Sequence, residues 1–334
     1  MSNERKSPEC VAPPCTSNDK PVILSQQYGG FHSGSWVEVL PRFAVPFIQL
    51  ARLSPPTALF LIYLPHVFGV LHTGIAHRLS WAQVISTALQ LFGGSFFFSN
   101  AAHAWNDIVD APIDRHVARS KDRPIVRGAI TPSAALAFAF SQSFGAITFL
   151  LWLPRTTALA TLPTIVGTTY YPWAKRHTYF PQVVLGFCLA WGIIVGCAAA
   201  GEEEPWKDGA ALCLVMASVL WTVTYDTIYA SLDIQDDIKI GIKSMAVLFG
   251  TYTKIMLWVV TGLQSAHLVA YGWLTMRGIG YYTVTVAGCL VSLAVMVSYV
   301  KLGDKASCWW WFSCGFWFVG MSVISGLLIE YVLQ

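Results

Sequence analysis

The stretch Asn-Asp-Ile-Val-Asp-Ala-Pro-Ile-Asp, Asn106 to Asp114, ends a long apolar run, and charged side chains dominate the residues that follow it. Asn106, Asp110 and Asp114 are spaced four residues apart, so on a helix they form one stripe of oxygen ligands. Pro112 interrupts this pattern, because proline cannot donate a hydrogen bond to the preceding turn. We therefore expect either a bent helix between Asp110 and Asp114 or a helix that ends near Asp110 and restarts at Pro112.

Composition predicts a membrane protein. Of the 334 residues, 55% are hydrophobic and only 12% are charged, and the mean hydropathy is +0.54. Soluble domains carry about 25% charged residues. The formal net charge of +3 is too small to indicate nucleic-acid binding. We expect contact with the lipid bilayer and with small-molecule substrates, and nothing in the sequence indicates a protein partner.

Hydrophobic runs alternate with short polar connections beyond about residue 45. Residues 1–45 are rich in polar residues and proline, and we predict a flexible cytosolic tail there, followed by a transmembrane domain over residues 46–334. The domain is predicted to be all-α, with nine transmembrane helices. They are expected near residues 56–76, 81–105, 132–153, 156–173, 182–200, 208–232, 251–276, 280–301 and 307–333.

The distribution of basic residues predicts the orientation of these helices. Of the 21 lysines and arginines, all but Arg78, Arg155, Lys207 and Arg277 fall in the tail or in alternate loops. The positive-inside rule then predicts a cytosolic N-terminus. Acidic residues in the tail disfavour a mitochondrial transit peptide, so we expect the endoplasmic reticulum or another endomembrane.

A second acidic cluster, Asp-Ile-Gln-Asp-Asp from Asp233 to Asp237, follows an apolar run four predicted helices later. Both clusters are therefore expected at the cytoplasmic face, and each is followed by basic residues. Aspartate oxygens suit Mg²⁺, which in proteins is usually shared with substrate phosphates. Lysine and arginine stabilise a diphosphate leaving group. Solvated loop charges explain any one of these residues as well, but explain the doubled pattern poorly.

Three other positions carry candidate functional residues. Tyr171 and Lys175 end the fourth predicted helix, where an interfacial anchor is the simpler interpretation. Arg52 precedes the first helix, where long basic side chains commonly extend to lipid headgroups. Asp226 lies within an apolar run, and a carboxylate at that depth is by default a functional candidate.

Together these motifs resemble the UbiA-type intramembrane prenyltransferase superfamily. Its Asn-Asp-x-x-Asp-x-x-x-Asp motif is similar to Asn106 to Asp114, its Asp-x-x-x-Asp motif to Asp233 and Asp237, and a further element to Tyr171 and Lys175. The resemblance extends from about residue 45 to the C-terminus. The run from Trp221 to Gly250 is similar to the branch of 4-hydroxybenzoate polyprenyltransferases.

The resemblance implies Mg²⁺-dependent transfer of an isoprenyl group from its diphosphate to an aromatic carbon. It assigns Asp110, Asp114, Asp233 and Asp237 as catalytic Mg²⁺ ligands, with Asn106 as a supporting metal ligand. It further implies two groups of substrate-binding residues. The diphosphate candidates are Arg119, Lys121, Arg123, Lys175 and Lys243, and those of the acceptor pocket are Arg52, Asn106, Tyr171 and Asp226.

One departure from the family bears on the acceptor. The segment Arg52-Leu-Ser-Pro-Pro-Thr-Ala58 lacks the acidic and basic neighbours and the glycine usual in ubiquinone-type members. We therefore predict an enzyme similar to the fungal meroterpenoid members, which transfer a farnesyl group to a polyketide-derived phenol or pyrone. The alternatives are a 4-hydroxybenzoate polyprenyltransferase, a membrane terpene cyclase of the same superfamily and, from another class, a cation transporter.

Overall fold

The computed structural model describes residues 26–31 and 34–334, and over these ranges the regular secondary structure is entirely helical. This confirms the predicted fold class. Three single-turn 3₁₀ segments and two short π segments interrupt or join the α-helices. The α-helices are α1 (Val45–Leu50), α2 (Thr57–Ala76), α3 (Trp81–Asp114), α4 (Pro132–Leu150), α5 (Arg155–His177), α6 (Pro181–Ala190), α7 (Gly192–Ala199), α8 (Gly209–Ala230), α9 (Ile234–Ile240), α10 (Met245–Phe249), α11 (Thr253–Leu274), α12 (Ile279–Tyr281), α13 (Ala287–Tyr299), α14 (Lys305–Trp310) and α15 (Phe316–Val332).

Each predicted hydrophobic run coincides with a helix or with consecutive helical segments. The run near 182–200 is divided into α6 and α7, which meet at Trp191. The last two runs each contain a π segment, Tyr282–Val286 and Trp311–Gly315, between two α-helices. Because the chain stays helical through these interruptions, each run still forms one helical rod.

Seven of the rods in the described part of the chain are long and apolar enough to cross a membrane. The helices α3 and α5 have the necessary length but a less apolar composition. The predicted count of nine transmembrane helices therefore stays a prediction. The polytopic, all-helical architecture does not depend on these two helices.

Helix α3 is longer than predicted. It begins at a capping box formed by Ser80 and Gln83, and it continues beyond residue 105 through Pro112 to Asp114. Of the two expectations for Pro112, the structure supports a continuous helix over one that restarts. This continuity extends the helix far enough to carry the whole acidic motif on one element.

Two buried clusters form the core. The larger one joins α2, α7, α8, α11, α13 and α15. A smaller one joins α1, α3 and α4 to the polar connection between α3 and α4, through Leu50, Ala104, Ile125 and Ala135. Large apolar side chains are exposed on the outer helices, for example Phe144 on α4 and Trp273 on α11. In a membrane protein this surface is the one that contacts lipid.

The predicted N-terminal tail, residues 1–45, lies partly outside the described residues, which begin at residue 26. Its described part contacts the helical domain: Gln27 and Tyr28 are buried, with 3% and 1% of their surfaces exposed. Residues 1–25, which make up more than half of the predicted flexible tail, are not among the described residues.

Close helix packing at Gly196, in contrast to the open space beside Gly262, leads to a prediction about stability. A Cβ atom at Gly196 would lie 2.2 Å from the carbonyl oxygen of His66, whereas a Cβ at Gly262 would meet nothing within 4 Å. The Gly196→Ala variant must separate α7 from α2, and overpacking of this kind costs about 1–3 kcal/mol. We expect its thermal unfolding temperature in detergent to fall, while Gly262→Ala matches or exceeds the wild type. Equal unfolding temperatures for the two variants would contradict this packing.

Candidate active site

The C-terminal turns of α3 present the first acidic motif at one end of the bundle. Asp107, Asp110 and Asp114 are all buried, with 3%, 2% and 4% of their surfaces exposed. Asp110 and Asp114 face the same cavity as Asn106, because residues four apart share one face of a helix. The stripe predicted from the spacing is therefore present.

The second acidic motif lies where α8 gives way to the short helix α9. Asp233 occupies the N-cap position of α9, and Asp236 and Asp237 lie in its first turn. Acidic side chains are stabilised at a helix N-terminus by the backbone dipoles. Asp233 and Asp237 line the cavity, whereas Asp236 turns outward and accepts a hydrogen bond from the backbone N–H of Ala118 at 2.9 Å.

Both motifs line one cavity of about 130 Å³. Every candidate site residue from the sequence except Lys121 contributes to its wall, and the side chain of Lys121 is exposed. The residues that the structure brings together are Arg52, Asn106, Asp110, Asp114, Arg119, Arg123, Tyr171, Lys175, Asp226, Asp233, Asp237 and Lys243.

Arg119 connects the loop after α3 to the second motif. Its guanidinium donates to both carboxylate oxygens of Asp233, with the shortest distance, 2.6 Å, from Nη2 to Oδ2. Its Nη1 also donates to the hydroxyl of Tyr229 at 2.8 Å. Only 4% of Arg119 is exposed, and bidentate geometry fixes orientation as well as charge. Arg119 therefore holds Asp233 in place.

Arg123 plays the corresponding part for the first motif. Its Nη1 lies 2.8 Å from Oδ2 of Asp114 and 3.2 Å from Oδ1 of Asp107. Asp107 Oδ1 also pairs with Arg52 Nη2 at 2.9 Å. Asp107 is thus shared between two arginines, and it links the segment before α2 to the loop after α3.

Lys175, at the end of α5, pairs with Asp110. Its Nζ lies 2.6 Å from Asp110 Oδ2, which also accepts from Asn106 Nδ2 at 3.1 Å. The other oxygen, Oδ1, is buried and has no hydrogen-bond partner. Lys243 is attached to the same wall, because its backbone N–H donates to the carbonyl of Lys175 at 2.9 Å.

The charge of Asp237 is less well compensated. Burial raises the pKa of the Asp237 carboxyl to about 7, and the nearby Asp233 carboxylate adds to that rise. A bound cation would favour the ionised form of this group.

Two further cavities extend from the polar one into the bundle. A cavity of about 120 Å³ shares Arg52, Asn106, Tyr171, Asp226 and Tyr229 with it. A third, of about 60 Å³, shares Ile62, Phe98, Cys188 and Leu189 with the second, and its lining is mainly apolar. The shared walls place a charged chamber next to an apolar path, an arrangement suited to an amphiphile with an anionic head.

The donor set fits a metal that is shared with a ligand. Among the described residues, no group of three or more His, Cys, Asp or Glu side chains is arranged to hold a metal ion alone. Mg²⁺ does not require one, because it keeps several waters and binds one or two carboxylates together with substrate phosphates. The unpartnered Oδ1 of Asp110 is an available hard donor within the cavity wall.

Sequence reasoning missed two contributors. Asp107 was included in the first motif without a role, yet it anchors Arg52 and Arg123. Tyr229 was part of the family-like run only, yet its hydroxyl binds Arg119 and its ring lines two cavities. The sequence did contain one signal for Tyr229, which lies in an apolar helix four residues before Asp233.

Comparison with known proteins agrees with this architecture. The model of the UbiA prenyltransferase family matches residues 62–320. Prenyltransferase stbC of Stachybotrys bisbyi is 35% identical, with 89% of this chain and 91% of that protein covered. The mitochondrial 4-hydroxybenzoate polyprenyltransferase of Schizosaccharomyces pombe is 34% identical, with 83% of this chain and 78% of that protein covered.

Solved structures give the same fold. A UbiA homolog from Aeropyrum pernix K1 superposes with a TM-score of 0.67 at 23% identity, with 81% of this chain and 97% of that chain covered. One from Archaeoglobus fulgidus, bound to GPP and Mg²⁺, superposes with a TM-score of 0.64 at 18% identity, with 86% and 99% covered.

The fold and the cavity thus define a polytopic membrane enzyme with an acidic, arginine-braced site. The chain belongs to the UbiA prenyltransferase family. This confirms the resemblance inferred from the two aspartate motifs and the predicted enzyme class, an aromatic prenyltransferase.

The difference between aspartates that line the cavity and Asp236, which does not, can be tested by mutation. We expect Asp110→Asn and Asp237→Asn to lower turnover, measured as diphosphate released from an isoprenyl diphosphate, by at least about 100-fold, since each removes charge from the cavity wall. The matched control is Asp236→Asn, which keeps an oxygen for the N–H of Ala118 and should stay within about threefold of the wild type. Loss of turnover in all three variants alike would contradict the assignment.

Proposed function

We propose that this protein transfers a farnesyl group from farnesyl diphosphate to a carbon of an aromatic acceptor. The observation that carries the proposal is the single cavity lined by both aspartate motifs, Lys175 and two buried arginines, which adjoins an apolar cavity through Tyr171 and Asp226. The diphosphate then lies in the charged chamber and the isoprenyl chain in the apolar path.

The cavity wall supports a dependence on Mg²⁺. Carboxylate oxygens without a basic partner, such as Oδ1 of Asp110 and those of Asp237, would repel a diphosphate unless divalent cations lay between them. Asp110, Asp114, Asp233 and Asp237 would hold the metal, with Asn106 positioning Asp110. When bound, Mg²⁺ would neutralise charge on the diphosphate oxygens and so favour its departure.

The protein's own residues would direct the reaction as follows. Lys175 would stabilise the departing diphosphate as the allylic carbon–oxygen bond breaks, and Arg119, Arg123 and Lys243 would add positive charge to the chamber. Tyr171 and the apolar side chains beside it exclude water from the carbocation. An electron-rich ring carbon then bonds to the allylic carbon. Asp226, on the wall shared by the two cavities, is placed to accept the proton that the ring loses.

The environment of Arg52 favours a phenolic or pyrone acceptor over 4-hydroxybenzoate. Arg52 lines the acceptor side of the site, but its guanidinium is already paired with buried Asp107 at 2.9 Å. A benzoate carboxylate would compete with Asp107 and would approach Asp226. An acceptor hydroxyl, by contrast, can donate a hydrogen bond to Asp226. We therefore propose an acceptor of the polyketide-derived type, as in meroterpenoid biosynthesis.

A product assay tests donor and acceptor together. Purified protein with Mg²⁺ would be incubated with geranyl or farnesyl diphosphate and, in separate reactions, 4-hydroxybenzoate, its methyl ester and a hydroxypyrone, with products identified by mass spectrometry. We expect C-farnesylation and a preference for the acceptors without a carboxylate. A strict requirement for 4-hydroxybenzoate would favour the ubiquinone-type alternative, and a cyclic terpene formed without acceptor would favour a cyclase.

A cation transporter is a weaker alternative. It explains the buried acids, but not the basic residues paired with each acidic motif, because these basic groups suit an anionic diphosphate and not a bare cation. Cation uptake into vesicles that ignored isoprenyl diphosphate would support it.

We further propose that residues 46–334 form the catalytic domain, that residues 1–45 lie in the cytosol and that the protein resides in the endoplasmic reticulum or another endomembrane. The distribution of lysine and arginine supports this orientation. Reporter fusions after Arg127, in the connection between α3 and α4, should give a cytosolic signal, while fusions after Lys207 should give a lumenal one. The reverse pattern would overturn the orientation.

A further inference from the structure

Residues 27–30, which we name the N-terminal strap, cross the loop that carries the site arginines. The carbonyl oxygens of the strap accept hydrogen bonds from three arginines in turn. Arg119 Nη1 donates to Gln27 at 2.8 Å, Arg123 Nε to Tyr28 at 3.4 Å and Arg127 Nη1 to Gly30 at 2.9 Å. The first two of these arginines are the ones that brace the aspartate motifs.

The strap is anchored by Tyr28. Its ring makes edge contacts with Trp309 and Phe312, whose ring centroids lie 5.1 and 6.5 Å away. Its hydroxyl donates to the carbonyl of Pro55, and the guanidinium carbon of Arg52 lies 5.8 Å from the ring centroid. The side chain of Gln27 adds a bond to the carbonyl of Lys305 at 3.4 Å. The strap is therefore attached to both the first and the last parts of the helical domain.

Gly30 gives the strap its close fit to the loop. Its φ is +120°, in the region that favours glycine, and a Cβ there would lie 1.9 Å from the carbonyl oxygen of Asp122. An alanine at this position must push the strap away from the loop without removing any side chain from the cavity.

We propose that the N-terminal strap is a positioning element of the active site, and that Tyr28 is a positioning residue for the diphosphate site. The proposal rests on the proposed function. A buried guanidinium that loses an acceptor must find another one. Without the strap, Arg119 would be drawn from its bidentate contact with Asp233, and Arg123 from Asp114. Both aspartate motifs would then lose their alignment toward the metal–diphosphate complex.

The strap should affect one part of the substrate more than the other, and this distinguishes a positioning role from general support of the fold. The strap carbonyls contact the arginines and not the apolar cavities, so the effect should fall on the diphosphate head and not on the isoprenyl chain. Displacing the strap should therefore weaken binding of inorganic diphosphate, which has no chain, as much as that of a whole donor.

The test compares Tyr28→Ala, Tyr28→Phe and Gly30→Ala in the full chain, with Val39→Ala as the control. Val39 lies in the same N-terminal region and is 86% exposed. Affinity for inorganic diphosphate in the presence of Mg²⁺ would be measured by calorimetry in detergent, and KM and kcat would be measured with farnesyl diphosphate. Thermal unfolding would be recorded for every variant.

We expect Tyr28→Ala and Gly30→Ala to weaken diphosphate affinity and raise KM by about tenfold, equivalent to about 1.4 kcal/mol, with a smaller change in kcat. Tyr28→Phe keeps the ring contacts and should stay within about threefold of the wild type, as should Val39→Ala. Wild-type affinity in Gly30→Ala, or in Tyr28→Ala, would overturn the proposal.

The design also separates this proposal from the proposed function. If the wild-type protein neither binds diphosphate nor transfers an isoprenyl group, the proposed function fails. If the wild type does both and the strap variants match it, only the positioning role fails. Should Tyr28→Ala not fold, Gly30→Ala decides the question, because it leaves the Tyr28 anchor in place.

Discussion

The structure depends on the neutralisation of buried carboxylates. Asp107, Asp110, Asp114 and Asp233 are gathered at one end of a helical bundle, and each has a basic partner within about 3 Å. Uncompensated charge in such a place is costly, because the loss of hydration is recovered only by close pairing. The loop after α3 and the ends of α5 and α8 are arranged around this requirement. The apolar helices form the bundle, and the ion pairs determine how the helix ends and the loop after α3 pack together at one end of it.

The same pairs prepare the site for its substrate. Each arginine holds a carboxylate in a fixed direction before a ligand arrives, and preorganised charge costs little reorganisation during a reaction. The guanidinium groups of Arg119 and Arg123 are consumed largely by the protein itself. Lys175 is more exposed, at 25% of its side chain, which would give it more freedom to follow the diphosphate that leaves in the proposed reaction. Arg119 and Arg123 therefore mainly hold the carboxylates in place, whereas in the proposed mechanism Lys175 responds to the ligand.

Much of this arrangement was readable from the sequence, for physical reasons. Apolar runs of membrane length and the four-residue spacing of Asn106, Asp110 and Asp114 are local properties, and both were predicted correctly. The alternation of the loops carrying basic residues likewise suggested that Asp233 and Asp237 lie at the same end as the first motif.

What the sequence could not show was long-range pairing. The partnership of Arg52 with Asp107 spans 55 positions, and that of Arg119 with Asp233 spans 114. Nothing local distinguishes Arg119, which is buried, from Lys121, which is exposed. The N-terminal contact of Tyr28 was hidden for the same reason, since it lies in a stretch whose composition resembles a tail.

The sharing of Arg123 between Asp107 and Asp114 has a consequence for how this site evolves and how its variants are interpreted. Arg52, Asp107, Arg123 and Asp114 form one connected chain of charges, so a change at any member redistributes the pairing of the others. Energies in such a network are not additive. In the proposed mechanism Arg52 lies on the acceptor side and Asp114 on the diphosphate side, so a substitution at Arg52 would change the pairing of Asp114. Under that mechanism, changes in acceptor preference are coupled to the strength with which the donor is held, and compensating pairs of substitutions are the expected route between specificities.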